Sequence, residues 1–528
     1  MKHIKSKYKS DRRTDWLNRI EKIGNSFPHP VALFALFTLV IVLGSWFLSM
    51  AGVSVTGQMI VDGTLREQEI GVRSLLTRDG AIYMLTGAIQ NFTTYAPLGM
   101  TLVAMLGVGL AEQSGFIHVL LKSAVKVTPA KWITPALVFL GVLSNVASDA
   151  GYVLLIPLGG LVFEAYGRHP LAGMAAAFAG VSGGFSANLL VGAMDTLLAG
   201  ITQTAVDILD PSYQVAVMGN YIFLAVSTIL ITVLGTWVTN HFVEPRLMMS
   251  VPLERVMVDK YSENEGLGVL TDTERKSMRS ALVALLLFVL VIVALCIPEN
   301  SFLRNENGSI LGRPTSPFLT GIVVLVTLVF FIPAVVYGKK SGTFKNHRDV
   351  CDGMARAMAS MGSFLALAFV SAQFINYFNY TQLGTLLAVS GANILQKIQI
   401  GVVPLMVLFV LFSAFMNLFM GSASAKWNIL APVFVPMFML LGYSPELCQL
   451  AYRIGDSCTN IITPMMTYYA VILTYARRYD KNAGIGTLTA TMVPYSIAFL
   501  IGWTILLAVW IVLQLPIGIG AGLYYAGF

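Results

Sequence analysis

Apolar runs of bilayer length alternate along this chain with short polar or basic segments. Residues 31–51 supply about 20 apolar positions, enough for a helix to span the hydrocarbon core. The stretch 52–77 is polar and reads as external, 80–95 as a short amphipathic piece, and 97–113 as the return crossing. Residues 132–166 are too long for one span. They are broken at 144–149 and again at Pro157, with Lys131 before them and Arg168 and His169 after. Basic flanks on both sides predict that both ends are cytoplasmic, as for a hairpin that dips in and returns. Residues 171–198 then cross outward, interrupted at 180–188. Spans follow at 221–242, 280–297, 317–337 and 358–378, and 379–401 reads as external or interfacial. Residues 402–441 form a second hairpin, 446–476 a crossing broken near Gly455-Asp456, and 488–513 the last helix. The pattern predicts an all-α membrane protein with nine transmembrane helices plus two re-entrant helical hairpins.

The two hairpins are copies. At an offset of 275 residues, 144–188 lies over 419–463 without a gap and with nine identities. These include Pro157/Pro432, Gly167/Gly442, Pro170/Pro445, Gly180/Gly455 and Ser182/Ser457, and Tyr152/Trp427 is an aromatic pair. The hairpins open to opposite faces, so the copies form an inverted repeat. Such repeats with interrupted segments at matching places point to the binding site of a secondary transporter. The division that follows is 1–30 as a cytoplasmic N-terminal segment, 31–130 as first helices for scaffold and dimerisation, and 131–200 as the first transport core. After these come scaffold helices at 201–400 with a cytoplasmic loop at 243–279, the second core at 401–476, and a last helix with an external C-terminus at 477–528.

Composition agrees with this reading. The 528 residues are 56% hydrophobic and 12% charged, with mean hydropathy +0.73, which excludes a soluble domain. The net charge of +7 comes largely from loop Lys and Arg that set topology rather than from a nucleic-acid surface. Eight Lys/Arg within residues 1–30 place the N-terminus in the cytoplasm, with an interfacial helix over 15–23 and no cleaved signal. Cys296, Cys351, Cys448 and Cys458 show neither disulfide nor metal spacing. Gly180-Val-Ser-Gly183 matches the short motif of an intramembrane serine protease. The six histidines, however, all fall in tails, loops or helix ends, away from the place of a general base, so the chain is not read as an enzyme. With neither a phosphate-binding GxxxxGK[ST] loop nor a large soluble domain, an ATP-driven pump is disfavoured.

The candidate chemistry lies where polar groups sit at membrane depth, which is expensive and marks function by default. Arg453 and Asp456 are three apart on one helix face. They are either an internal ion pair or a carboxylate clamp beside a proton or cation site. Asn417, Ser422 and Ser424 stand at the tip of the second hairpin, where they cap exposed backbone or coordinate Na⁺ or substrate. Asn145 and Asp149, with Ser144 and Ser148, are their counterparts in the first. Trp427 packs, or stacks on an aromatic ring. Lys426 snorkels, or attracts anions. Ser182, Ser186, Asn188 and Asp195 come from the other broken helix, and Asp195 is either a relay point or a cap.

Several motifs resemble the p-aminobenzoyl-glutamate transporter (AbgT) family. They are Gly-Asn-x-Phe-Pro-His-Pro at 24–30, Tyr-Ala-Pro-Leu-Gly at 95–99, Gly-Arg-His-Pro-Leu-Ala-Gly at 167–173, Gly-Ser-Ala-Ser-Ala-x-Trp at 421–427, and Arg-Ile-Gly-Asp-Ser with Thr-Asn-Ile-Ile-Thr-Pro-Met across 453–465. The resemblance implies a dimer in the bacterial inner membrane, driven by an ion gradient, with Na⁺ or H⁺ as coupling ion and no other cofactor. It implies import of p-aminobenzoyl-glutamate in some members. In others it implies export of p-aminobenzoate-like antimetabolites, including sulfonamides; export is favoured here. By position the family's site residues fall on Asp195, Asn417, Ser424, Trp427, Pro445, Arg453, Asp456 and Pro464. Asn417 and Asp456 are then the cation-site pair, and Lys426 is a departure from the pattern. A benzoyl ring suits Trp427 and a carboxylate suits Arg453. The alternative is a sodium-coupled dicarboxylate-type symporter.

Overall fold

The structure, a computed structural model, describes residues 30–525 apart from 62–63, 148–149, 251–252, 254–270, 311–315, 464–465 and 467. The N-terminal segment with its expected interfacial helix, most of the cytoplasmic loop, Asp149 and Pro464 lie outside the described residues.

Helix α1 (Pro30–Met50) leads into strands β1 (Ser54–Val61) and β2 (Thr64–Gly71), which pair antiparallel from Ser54↔Gly71 to Val61↔Thr64. The sequence reading gave this segment as external and polar, without strands. Its Val, Thr and Ile residues favour extended strands. Helix α2 (Arg78–Thr93) starts at a Thr77 cap whose hydroxyl accepts from the Gly80 amide, and α3 (Ala96–Gln113) follows, then α4 (Phe116–Val127). The first hairpin is α5 (Ile133–Ser144), a 3₁₀ turn at Asn145–Ala147, and α6 (Ala150–Ala165). Helix α7 (Pro170–Phe178) widens into a π turn at Ala179–Gly183. The chain then runs irregularly to α8 (Ala193–Val206).

Helix α9 (Tyr221–Val238) also ends in a π turn, at Thr239–Val243. Next come α10 (Asp272–Cys296), α11 (Ile322–Ser341), α12 (His347–Ala359) and α13 (Gly362–Tyr380), the last two bent by 46° at their junction. Helix α14 (Leu383–Ile398) occupies the stretch expected to be external or interfacial. The second hairpin is α15 (Val402–Asn417) and α16 (Ala423–Leu440), and the core closes with α17 (Pro445–Asn460), α18 (Tyr469–Tyr479) and α19 (Ile485–Val512). Among the described residues, seven helices are long and apolar enough to cross a membrane, or eight if the bent pair is one span. The expected nine are not reached by length and composition alone. The broken helices are divided into pieces of 9 to 16 residues, each too short to span by itself.

One boundary is corrected. Helix α17 runs unbroken through Gly455-Asp456, and the break comes after Asn460. Gly455 serves close packing instead: a Cβ there would lie 2.3 Å from the Val410 carbonyl oxygen in α15. Its repeat partner Gly180 does the same against α5, with a Cβ 2.3 Å from the Val138 carbonyl oxygen. Gly167 and Gly442, also repeat partners, both turn the chain at positive φ, +68° and +84°. Pro170 and Pro445 both open the helix that follows. The repeat seen in the sequence is therefore a repeat of local geometry.

Candidate functional site

Helix α17 is the axis of the site. Every one of its residues is buried, although it carries Glu446, Gln449, Arg453, Asp456 and Asn460. Ser444 caps its start by accepting from the Leu447 amide at 3.2 Å. Charged groups survive there because each meets a partner from another element.

Asp456 meets the tip of the second hairpin. Its Oδ1 lies 2.5 Å from Lys426 Nζ, both side chains being 1% exposed. The same ammonium donates to Asn417 Oδ1. The Asn417 amide nitrogen donates to the Asp456 carbonyl at 2.6 Å, to Thr459 Oγ1 at 2.9 Å and to Asn460 Oδ1 at 2.8 Å. Asn460 in turn donates to Asp456 Oδ2 at 3.3 Å. Helix ends α15 and α16 are thus tied to α17 through one ammonium, one carboxylate and two amides. Lys426 does not snorkel.

Arg453 points elsewhere. Its Nη2 donates to Asp195 Oδ1 at 2.7 Å, across to the first turn of α8. Of the two readings of Arg453 and Asp456, the internal ion pair is not formed: the hairpin supplies a nearer cation to Asp456, and Arg453 reaches the other repeat. Asp195 is both cap and ion-pair partner, since its Oδ2 also accepts from the Gly192 amide at 2.8 Å. Arg453 Nε is buried and has no hydrogen-bond partner among the described residues. A small pocket lined by Asn188, Asn220, Tyr221 and apolar residues reaches Asp195.

Trp427 is fully buried. Its ring stacks on Tyr452 at 4.5 Å between centroids, and its Nε1 donates to Thr202 Oγ1 at 2.9 Å. Gln449 donates to the same hydroxyl at 2.9 Å and accepts from Asn220 at 2.7 Å. The Tyr452 hydroxyl donates to the Ala423 carbonyl at 2.5 Å. In the repeat-related place Tyr152 stacks on Tyr468 at 4.8 Å.

The remaining predicted residues are mostly structural in this conformation. Ser422 caps α16 through the Ala425 amide at 3.4 Å, and Ser424 lies 3.5 Å from it. Asn188 accepts from the Leu189 and Leu190 amides. Asn145 donates to the Gly184 carbonyl at 3.4 Å, while its Oδ1 is buried without a hydrogen-bond partner among the described residues. Pro445 is the first residue of α17. Ser182 gives its hydroxyl to the Met466 sulfur at 3.1 Å, an acceptor that is no general base. Ser186 and Ser457 link the two broken helices through an amide-to-hydroxyl bond of 3.1 Å.

Sequence reasoning missed Thr202, Asn220, Gln449 and Tyr452. Gln449 and Tyr452 had a signal: with Arg453, Asp456 and Asn460 they recur at three- and four-residue steps, a polar stripe along one helix. Thr202 and Asn220 had none.

The fold and site define a helical membrane protein whose paired broken helices each insert charged and amide side chains into a buried centre. The chain belongs to the AbgT putative transporter family, whose model matches residues 15–525. It is 36% identical over 521 residues to the p-aminobenzoyl-glutamate transport protein of Escherichia coli strain K12, covering 98% of each chain. It is similar to the YdaH transporter of Alcanivorax borkumensis, at 46% identity and TM-score 0.86 over 93% of this chain and all of that one. It is also similar to MtrF of Neisseria gonorrhoeae, which represents a class of antimetabolite efflux pumps, at 44% identity and TM-score 0.88 over 96% of this chain and all of that one.

Proposed function

We propose that this protein is a secondary transporter of p-aminobenzoyl-glutamate and p-aminobenzoate-like aromatic carboxylates, exporting sulfonamide-type antimetabolites, driven by a Na⁺ or H⁺ gradient. It works as a homodimer in the bacterial inner membrane with its N-terminus in the cytoplasm, using nine spans and two re-entrant hairpins of opposite orientation. The family, with a p-aminobenzoyl-glutamate transport protein and an antimetabolite efflux pump among the relatives, supports the substrate range. The observation within the chain that carries it is Arg453. Its Nη2 is held by Asp195, and its Nε is a buried donor without a hydrogen-bond partner among the described residues. An unmet buried donor is costly, and a carboxylate satisfies it with a charge-assisted bond.

Tyr452, next to Arg453 in sequence, stacks on Trp427, and the pair presents aromatic surface once the second hairpin moves away from α17. Alternating access is then the opening of one hairpin tip against its broken helix while the other stays closed. Titration calorimetry on the purified protein tests the reading. Binding of p-aminobenzoyl-glutamate should be strong, that of a simple dicarboxylate weak, and both lost in Arg453→Gln. A dicarboxylate that binds as well as the aromatic compound would favour the dicarboxylate symporter instead.

A further inference from the structure

Asn417 and Asp456 are the pair expected to hold a coupling Na⁺ ion, and the geometry gives that place to a side chain. Lys426 Nζ lies 2.5 Å from Asp456 Oδ1 and also donates to Asn417 Oδ1. These are the side-chain oxygens that this pair would offer a Na⁺ ion. The Asn417 amide cannot turn its oxygen elsewhere, because its nitrogen already serves the Asp456 carbonyl, Thr459 and Asn460. Asp456 Oδ2 is engaged by Asn460.

The charge count points the same way. Among the described residues, the fully buried ion pairs here are Asp456 with Lys426 and Asp195 with Arg453, two carboxylates matched by two cations. A Na⁺ ion added at Asn417 and Asp456 would stand beside an ammonium in a medium that screens poorly, and the one carboxylate there, Asp456, is already paired with Lys426. The donor set therefore does not fit Na⁺ while Lys426 is in place.

We propose that Lys426 is a tethered replacement for the coupling cation, so that this chain holds no Na⁺ at Asn417 and Asp456. The second hairpin is closed onto α17 by an ammonium on its own α16 rather than by an ion from solution. For coupling, the inference rests on the transporter reading above: of the two candidate gradients, Na⁺ cannot act through this place. The ion site itself is open to test without any flux.

The test is thermal unfolding of the purified full-length protein, titrated with NaCl against choline chloride at constant ionic strength. The wild type should show the same Tm in both salts. Lys426→Gln, which frees both oxygens, should gain a saturable Na⁺-specific rise in Tm of several degrees, and Lys426→Gln/Asp456→Asn should lose it. A saturable Na⁺-specific rise in the wild type that Asp456→Asn removes would overturn the proposal. So would a folded Lys426→Gln variant with no response to Na⁺. If that variant does not fold, the wild-type titration alone still decides, backed by ²³Na line broadening with Asp456→Asn as reference. Absence of flux in liposomes would count against the transporter reading and leave this result untouched.

Discussion

Replacing Asp195 by Asn leaves the cap on α8 possible but removes the one carboxylate among the described residues that pairs with Arg453. The pair is 2.7 Å apart, with side chains 4% and 9% exposed. At an effective dielectric of 20 the Coulomb attraction at that distance is about 6 kcal/mol, most of it offset by the desolvation of both ions. Breaking a buried pair from one side typically costs about 3–5 kcal/mol, because the surviving charge is stranded. The Asn carbonyl still accepts one bond from the guanidinium, so the lower end, about 3 kcal/mol, is expected. Arg453→Gln should cost a similar amount. The double variant should cost about 2 kcal/mol less than the two together, since neither charge is then buried alone. Unfolding in mixed micelles, followed by tryptophan fluorescence, measures all four corners. Strictly additive losses would show that the pair is not coupled and would refute the bridge between α8 and α17.

Gly455→Ala and Gly180→Ala should each destabilise by about 1–3 kcal/mol, because a methyl would meet the carbonyl of Val410 or Val138; equal stability to wild type in either would deny the close approach. Trp427→Phe keeps the stack on Tyr452 but loses the bond to Thr202, so it should cost about 1 kcal/mol, read as a lowered Tm, with a weaker aromatic-substrate affinity. Outside the membrane-spanning helices, burial pushes the Asp210 carboxyl up. Bonds from Ser212 and Tyr525 outweigh it and hold the group below its usual value. Its contribution is therefore fully present above the ordinary carboxylate value and lost as pH falls through the lowered one. Asp210→Asn should flatten the acid side of the Tm-against-pH curve, and an unchanged acid side would contradict this.

Much of the architecture was legible because a bilayer imposes length and polarity on every element. The helix pairs α5/α6 and α15/α16, the irregular stretch after Gly180 and the matched glycines and prolines at the 275-residue offset follow from apolar run lengths and from Pro and Gly at matching places. The strand pair β1/β2 and helix α14 were not, since segments too short or too mixed in polarity to span carry no such constraint. The break expected at Gly455 was misplaced because glycine has two uses. A helix interior tolerates it where a neighbouring backbone comes within reach, and α15 does so. In the site, the residue types were visible but the pairing was not. Spacing put Arg453 beside Asp456 on one helix, while the fold gave each a partner from a different repeat segment, Asp195 and Lys426. Tertiary neighbours separated by 258 residues leave no local signal.

Flux in reconstituted liposomes tests the central claim most directly. Labelled p-aminobenzoyl-glutamate and a labelled sulfonamide would be followed under a proton gradient and, separately, under a Na⁺ gradient, with Asp456→Asn alongside. The account predicts flux that follows the proton gradient, ignores Na⁺ and is lost in Asp456→Asn. No flux of either compound by correctly folded protein, or undiminished flux in Asp456→Asn, would contradict it.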